Sequence, residues 1–180
     1  MPVYVAFLRG VNVGRYNVVH KEDLLNALAP LGHQEVSVYK QSGNIIFQTT
    51  QTDQNQLRKD LQKAVHSILG KDIEILLRPL PYLQELLNNN PFKNQKTENT
   101  SFLVTFLSTE PQNPPPTPLD IPKSTAKVIQ ITKTEAYSIT HGGGEGALPN
   151  PFLEKTLKTP ATTRNYNTIK EITQKYTKQT

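Results

Sequence analysis

Two short segments rich in glycine and amide side chains have the composition of an anion site. The first is Gly10-Val11-Asn12-Val13-Gly14, which follows an apolar run that ends at Arg9. The second is Gln41-Ser42-Gly43-Asn44, which follows another apolar run that ends near Lys40. Glycine lets backbone N–H groups approach a ligand closely, and amide and hydroxyl groups donate hydrogen bonds to it. We therefore expect these two segments to contribute to one ligand site.

A structural interpretation of the same residues stays open. Gly10 and Gly14 could serve only to permit positive φ in a turn, and Gly43-Asn44 is a common turn pair in hairpins. The first segment is not a P-loop, because it lacks the required spacing and the Gly-Lys-Ser/Thr ending. It is not a dinucleotide fingerprint either. Structural turns and a ligand site are both consistent with the sequence.

A third polar segment lies near the end of the chain, at Thr162-Thr163-Arg164-Asn165-Tyr166-Asn167-Thr168. Its threonines and asparagines are typical helix caps. Arg164 is also suited to hold an anion, because a guanidinium forms bidentate hydrogen bonds with phosphate or carboxylate. Arg164, Asn165 and Asn167 are therefore candidate ligand-binding residues.

Other catalytic or metal chemistry is sparse. The chain has no cysteine, which excludes disulfides, thiolate nucleophiles and cysteine-ligated zinc. The four histidines show no metal-ligand spacing, so neither a metal nor a cofactor is predicted. His141, which precedes a glycine run, is the one histidine placed where it could act in catalysis.

Composition and charge set broad limits on the partners. The 180 residues are 36% apolar, which is ordinary for a globular protein, and carry a net charge of +5. Mild basicity permits a phosphate-bearing small molecule or a nucleic acid as partner without requiring one. The apolar run at the N-terminus is shorter than the roughly 20 residues of a membrane span. We expect a cytoplasmic protein with no membrane partner.

Hydrophobic periodicity predicts the plan β-α-β-β-α-β for the first half, which is the ferredoxin-like order. In that fold strands one and two run in the same direction, with strand three antiparallel between them. The Gly10–Gly14 and Gln41–Asn44 segments and the start of the first helix should then lie at one end of the sheet, within about 11 Å, or two helical turns. Arg9, Arg15, Lys21 and Lys40 would add positive charge there. The predicted elements are strands at 2–9, 34–40, 45–49 and 72–78, with helices at 21–31 and 53–69.

The second half is less regular but also mixes helices and strands. A proline-rich stretch, 110–122, is predicted to be a surface loop. Asn150-Pro151 has the pattern of a helix start, and Thr162 or Thr163 is predicted to open the last helix. The whole chain is thus predicted to be α+β, with two ferredoxin-like halves at 1–79 and 80–180. The other predicted elements are helices from 81 to 90 and from 150 to about 158, and strands at 101–107, 126–132 and 135–140.

An open sheet face could bind RNA by stacking bases on aromatic residues. Strand three, Asn44-Ile45-Ile46-Phe47-Gln48, lacks the Lys/Arg-Gly-Phe/Tyr pattern of such modules. If Val3, Val5 and Phe7 face the helices, the opposite face of strand one carries Tyr4, Ala6 and Leu8. That face is too apolar for water, so we expect the second half to cover it.

The motifs in combination resemble a widespread, mostly bacterial family known as domain of unknown function 1697. They are Leu8–Gly14, Gln41–Asn44, Asn90-Pro91-Phe92, Leu153-Glu154-Lys155 and Thr162–Thr168. The resemblance spans essentially the whole chain. It implies two ferredoxin-like halves and no established activity.

Three positions depart from the pattern of that family. Arg15 stands where the family tends to have another glycine, and Tyr166 replaces a tryptophan. The Gly144–Leu148 stretch replaces an Arg-Ser-Lys-like segment, which puts a cationic role for that loop in doubt.

Three functions are compatible with these residues. The first is a binding protein for an anionic ligand, with a site lined by Arg9, Gly10, Asn12, Gly14, Gln41, Ser42, Gly43, Asn44, Arg164, Asn165 and Asn167. The second is an enzyme, which predicts that His141 opens into a pocket that also contains Arg164. The third is a protein-interaction module that uses the proline-rich loop, which predicts a large exposed apolar patch.

Overall fold

The chain forms two compact units, Met1–Leu83 and Gln84–Thr180. The computed structural model describes residues 1–41, 43–96, 98–142 and 149–177. Within this part of the chain there are two antiparallel sheets and five α-helices. The predicted α+β class is therefore confirmed.

The first unit has the β-α-β-β-α-β order that the sequence predicts. A short 3₁₀ turn, Ala29–Leu31, extends the first helix, and Gly32 ends it with φ of 68°. The second helix is capped by the Asp53 carboxylate, which accepts hydrogen bonds from the N–H groups of Asn55 and Gln56. The elements are β1 (Val3–Leu8), α1 (Lys21–Leu28), β2 (Gln34–Tyr39), β3 (Asn44–Gln48), α2 (Gln54–Leu69) and β4 (Ile75–Pro79).

The first sheet has the strand order β2-β3-β1-β4, and every neighbouring pair is antiparallel. Val5 lies opposite Ile46 on β3 and Arg78 on β4. Because β3 is antiparallel to both β1 and β2, the C-terminal ends of β1 and β2 meet the start of β3. This places residues 9–14 and 40–44 at one end of the sheet.

The core of the first unit corrects the predicted orientation of β1. Tyr4, Ala6 and Leu8 lie in the cluster that α1 and α2 cover, together with Leu24 and Leu61 of those helices. The assumed orientation, with Val3, Val5 and Phe7 facing the helices, therefore does not hold. All six residues of β1 are buried. Because every residue of the strand is apolar, its alternation defines two faces but does not say which one the helices cover.

The second unit contains five strands and the remaining helices. The predicted hairpin is present, with Ala126 of its first strand opposite Thr140 of its second. Residues 110–118 of the proline-rich stretch form no helix or strand, whereas Leu119–Asp120 form a short strand. The elements are α3 (Leu80–Asn89, which begins in the first unit), β5 (Thr100–Leu107), β6 (Leu119–Asp120), β7 (Ala126–Ile131), β8 (Glu135–His141), α4 (Asn150–Leu157), β9 (Ala161–Asn165) and α5 (Tyr166–Thr177).

The second sheet has the order β6-β7-β8-β5-β9. Leu153 and Leu157 of α4 pack with Val128 and Ala136 of this sheet. A separate aromatic cluster forms around Phe92, whose ring centroid lies 4.8 Å from that of Phe102 and 4.9 Å from that of Tyr166. The Asn90-Pro91-Phe92 motif thus supplies a core residue.

One prediction for the second unit is wrong. Thr162 and Thr163 do not open the last helix, because they belong to β9 and pair with β5. Asn150-Pro151 begins α4 as predicted, although Pro149 and not Asn150 holds the cap position. The Asn150 amide instead donates to the Ala161 carbonyl (2.9 Å) and accepts from the Thr163 hydroxyl (2.9 Å), which ties α4 to β9.

Among the described residues, no helix is long and apolar enough to cross a membrane.

Candidate functional site

The glycine-marked loop, residues 10–19, connects β1 to α1 in a tightly folded form. Four of its residues have positive φ: Gly10 (66°), Asn12 (52°), Gly14 (60°) and Asn17 (50°). The Asn12 N–H donates to the Asn17 carbonyl (3.0 Å), so the segment between them forms a small hairpin with its tip at Gly14. The two asparagines sit in the left-handed region that asparagine adopts more readily than most residues.

Asn12 is the structural centre of this loop. Its Oδ1 accepts from the Val19 N–H (2.8 Å), and its Nδ2 donates to the Val19 carbonyl (3.1 Å). The same Nδ2 donates to the Gln41 carbonyl at 2.5 Å. The two segments that the sequence predicts to be neighbours are therefore in direct contact. These bonds commit the Asn12 amide to holding the loop.

Asn17 has a comparable part in the loop. Its Nδ2 donates to the Gly10 carbonyl at 2.6 Å. Together with Asn12, it closes the loop on itself and fixes the path of the residues between them.

The β2–β3 connection supports the loop from the other side. The Gly43 carbonyl accepts from the Leu8 N–H (2.9 Å). A Cβ at position 43 would lie 2.3 Å from Cγ2 of Val11 and 3.0 Å from Cβ of Leu8, at φ of 70°. Asn44 is fully buried and donates to the Tyr39 carbonyl (2.9 Å). Ser42 lies outside the described residues.

A hollow of about 490 Å³ lies between these two segments, and we call it the loop pocket. It combines cationic side chains, an amide and an apolar floor. Its described lining is Asn12, Val18, Val19, His20, Lys21, Leu24, Val38, Lys40, Gln41 and Gly43.

The loop pocket has a positive electrostatic character. Lys21 and Lys40 reach it from different elements, and its described lining contains no carboxylate. His20 precedes α1, and its side chain accepts no hydrogen bond from the first N–H groups of this helix. Those N–H groups and the helix dipole favour an anion. Glu22 and Asp23 lie in the same first turn but are not part of the lining, so they reduce this potential.

Two other predicted cations lie differently. Arg9 is half-buried, and its backbone N–H donates to the Glu74 carbonyl (2.9 Å). Arg15 is exposed at the tip of the glycine-marked loop. Neither belongs to the described lining of the loop pocket.

Arg164 of the second unit is a buried residue. Its guanidinium Nη1 donates to the Thr162 hydroxyl (2.7 Å) and to the Thr163 carbonyl (2.9 Å). Burial lowers the pKa of Arg164 to about 10, so it remains a cation at neutral pH. Both acceptors belong to β9 itself, so these bonds hold the side chain against its own strand.

Asn165 and Asn167 lie where β9 meets α5, and both are exposed. The Asn165 carboxamide oxygen accepts from the Asn167 N–H (2.9 Å), which satisfies one of the free N–H groups at the start of α5. This is the capping role that the sequence offers as one of its two interpretations.

His141 does not have the surroundings that the enzyme hypothesis requires. Its Nδ1 lies 3.0 Å from the Thr100 hydroxyl, and the ring is exposed beside a shallow hollow. The described lining of that hollow is Lys96, Glu98, Asn99 and His141, without Arg164. The Gly143–Gly146 part of the adjacent glycine run lies outside the described residues.

The sequence also does not mark His33 as a residue with unusual surroundings. Its ring stacks on Phe47 with centroids 4.6 Å apart, and its buried Nε2 has no hydrogen-bond partner among the described residues. Burial lowers the pKa of His33, although the nearby Asp60 partly opposes this. Tyr4 stacks on the same Phe47 ring (5.9 Å). Tyr4 and Phe47 of the sheet thus belong to the core, which argues against base stacking on them.

The comparisons with known proteins identify relatives but no activity. A family model described as "Protein of unknown function (DUF1697)" matches residues 1–137. No curated protein matches the chain. A solved structure, that of the conserved bacterial protein SP0830 from Streptococcus pneumoniae, is 23% identical with a TM-score of 0.65. The alignment covers 96% of this chain and 97% of that one, which indicates a shared fold.

Proposed function

The chain belongs to the DUF1697 family of proteins of unknown function, and we propose that its first unit binds an anionic ligand in the loop pocket. The observation that carries this proposal is the convergence of Lys21 and Lys40 on one concave surface with no carboxylate in its described lining. Two ammonium groups from separate elements can contact one phosphate or carboxylate from two sides.

The choice of this surface follows from a comparison with another hollow of the first unit. That hollow, beside α2, also has two lysines, Lys59 and Lys63, in its lining. It contains Asp72 as well, whose carboxylate lies 2.8 Å from Nδ1 of His66. The carboxylate offsets the lysine charge there, whereas the loop pocket gains further positive potential from the start of α1.

The proposal assigns different roles to the predicted site residues. Lys21, Lys40 and the Gln41 side chain would contact the anion. Asn12, Gly43 and Asn44 would not contact the anion but would maintain the shape of the loop pocket. Their hydrogen bonds and close packing hold the two segments together. The predicted contributions of Arg9, Arg164, Asn165 and Asn167 to ligand binding stay predictions.

Calorimetric titration with pyrophosphate tests this proposal. We expect binding to weaken by about tenfold or more in the Lys21→Ala/Lys40→Ala double variant, since each charge-assisted contact is worth about 1.5–3 kcal/mol. The affinity should also fall with added salt. Lys59→Ala/Lys63→Ala is the matched control, because it removes two exposed lysines of the same unit outside the loop pocket.

The result that overturns the proposal is equally specific. If Lys59→Ala/Lys63→Ala weakens pyrophosphate binding as much as Lys21→Ala/Lys40→Ala does, the protein binds anions only through its overall charge. Backbone amide NMR shifts that change on pyrophosphate addition but leave residues 10–24 and 38–43 unaffected would place the site elsewhere.

We also infer that both units are forms of the α/β plait. The support is topological, because four strands of the second sheet, in the order β7-β8-β5-β9, repeat the order and directions of β2-β3-β1-β4.

A further inference from the structure

The tip of the glycine-marked loop carries a concentration of exposed apolar side chains. In the described part of the chain, four large apolar residues are more than half exposed: Met1 (53%), Val13 (56%), Tyr16 (79%) and Val18 (51%). Three of these, Val13, Tyr16 and Val18, fall within six consecutive residues, and we call them the apolar tip. Single exposed apolar residues are common on proteins, whereas a concentration of them marks a contact surface.

The apolar tip stands on a hairpin whose backbone polar groups are paired. Residues 13–16 are all exposed. The Tyr16 N–H donates to the Val13 carbonyl (3.1 Å), and the Asn12 N–H donates to the Asn17 carbonyl (3.0 Å). Backbone groups without partners oppose transfer out of water, because they lose their hydrogen bonds to it. This hairpin can therefore leave water at a lower cost than a loop with unpaired backbone groups.

The charge around the apolar tip is positive. Arg15 precedes Tyr16 and is exposed, and Lys21 is exposed where α1 begins. Residues 1–21 contain no aspartate or glutamate. The carboxylates that come next, Glu22 and Asp23, lie in the first turn of α1 and not in the hairpin. A partner of the apolar tip should therefore present negative charge.

We propose that the apolar tip inserts into the surface of an anionic lipid bilayer, so that the protein docks on a membrane without spanning it. Tyrosine is enriched at membrane–water interfaces, where its ring meets the acyl chains and its hydroxyl meets the headgroups. Arg15 would contact lipid phosphates, because anionic bilayers attract basic side chains that lie near their surface. The prediction of no membrane partner rests on the length of one apolar run, which bears on a spanning segment and not on a peripheral contact.

The size and the charge of the apolar tip favour a lipid surface over another protein. A stable protein interface uses about 20–30 residues on each side, whereas the apolar tip consists of three. A second copy of the chain in a symmetric tip-to-tip contact would place Arg15 near Arg15, which like charges oppose. A small apolar group beside a cation is sufficient for reversible binding to a bilayer, because the hydrophobic and electrostatic contributions add.

The absence of tryptophan from the chain permits a sharp test. Tyr16→Trp places one indole in the apolar tip, and Thr52→Trp places one at an exposed position after the opposite end of β3. Each full-length variant is mixed with vesicles of equal parts phosphatidylglycerol and phosphatidylcholine, and with vesicles of phosphatidylcholine alone. We expect the Tyr16→Trp emission to move to shorter wavelength with the anionic vesicles only, because the indole enters the bilayer. The Thr52→Trp emission should stay unchanged.

Cosedimentation with the same anionic vesicles measures the contribution of single side chains. Tyr16→Ala should weaken vesicle binding by about fivefold or more, because it removes the inserted ring. Arg15→Gln should weaken it by about fivefold, since one basic side chain near an anionic bilayer contributes about that factor. Lys59→Gln is the matched control, because it removes the same charge from an exposed position on α2, and it should leave binding nearly unchanged.

Four results would overturn the inference. The wild type could fail to bind the anionic vesicles, or Tyr16→Ala and Arg15→Gln could bind them as well as the wild type does. Loss of vesicle binding in Lys21→Ala/Lys40→Ala but not in Tyr16→Ala would assign the lipid phosphates to the loop pocket. A Tyr16→Trp emission that shifts with protein concentration in the absence of vesicles would place a second copy of the chain on the apolar tip. The proposed function is tested separately, because Tyr16→Ala should bind pyrophosphate as the wild type does.

Discussion

The two polar motifs of this chain, one in each unit, have opposite structural roles. In the glycine-marked loop of the first unit, Asn12 and Asn17 use their amides to shape the backbone, and the residues between them are exposed. In the Thr162–Thr168 segment of the second unit, Arg164 and Tyr166 are buried. Residue types that predict ligand contacts therefore build a surface in one unit and a core in the other.

Sheet topology explains part of this difference. The strand orders β2-β3-β1-β4 and β7-β8-β5-β9 correspond strand for strand. Between β1 and β2 the first unit has α1, whereas between β5 and β7 the second unit has the proline-rich stretch and the short β6. Only the first crossover therefore supplies a helix N-terminus beside its loop, which is the feature that favours an anion there.

The largest expected contrast is between Tyr16 of the glycine-marked loop and Phe92, whose ring packs against Tyr166 of the Thr162–Thr168 segment. Phe92→Ala should lower the free energy of unfolding by about 3–5 kcal/mol, because it removes a buried ring that contacts three others. Tyr16→Ala should change it by less than about 0.5 kcal/mol, since that ring is 79% exposed. Urea unfolding followed by circular dichroism measures both values. Similar losses in the two variants would remove the contrast between core and surface.

A pair of glycines sharpens the comparison within the first unit. Gly43→Ala should cost about 2–4 kcal/mol, because its Cβ would overlap Val11 in addition to the strain of positive φ. Gly14→Ala should cost only about 1 kcal/mol, because it has the same strain and no atom within 4 Å. Urea midpoints of the two variants give the difference. Equal costs would mean that the hairpin shifts to admit the new methyl group, and that the close approach of the two segments is not required.

Asn12 and Asn167 test whether the asparagines of the two motifs differ. Asn12→Ala should cost about 1–3 kcal/mol, since it leaves the Val19 N–H and two carbonyls without their side-chain partner. Asn167→Ala should change stability by less than about 0.5 kcal/mol, because its side chain is exposed. If Asn12→Ala instead leaves stability unchanged and weakens pyrophosphate binding, the amide contacts the ligand and does not stabilise the loop.

Much of the first unit could be predicted because its signals are local. Alternating apolar residues and the stops at Gly32 and Gly70 define its elements, and the antiparallel order then brings Asn12 near Gln41 without any knowledge of side-chain contacts. The orientation of β1 could not be predicted, because all six of its residues are apolar.

The second unit was harder to predict for an identifiable reason. Ala161–Asn165 forms an edge strand that pairs with β5, yet its threonines and asparagine resemble helix caps in sequence. Its place in the sheet depends on partners more than 50 residues away, such as Thr105, whose hydroxyl lies 2.8 Å from that of Thr163. The exposure of Tyr16 likewise depends on the path of the loop. The presence of an aromatic residue in the sequence does not predict that path.

The smallest expected effect concerns the half-buried His33, whose ring stacks on Phe47 in the first unit. Because burial lowers the pKa of His33 below its usual 6.5, the unfolded chain takes up a proton at a higher pH than the folded protein does. Stability should therefore be retained above pH 6.5 and fall as the pH is lowered through that value. His33→Gln should reduce this loss, measured as urea midpoints between pH 7.5 and 5.5.

His66→Gln is the control, because that ring is half exposed and pairs with Asp72, and it should keep the His33 contribution. An unchanged pH dependence in His33→Gln would show that the ring is protonated as readily in the folded protein as in the unfolded chain. Its packing against Phe47 would then be too open to exclude water.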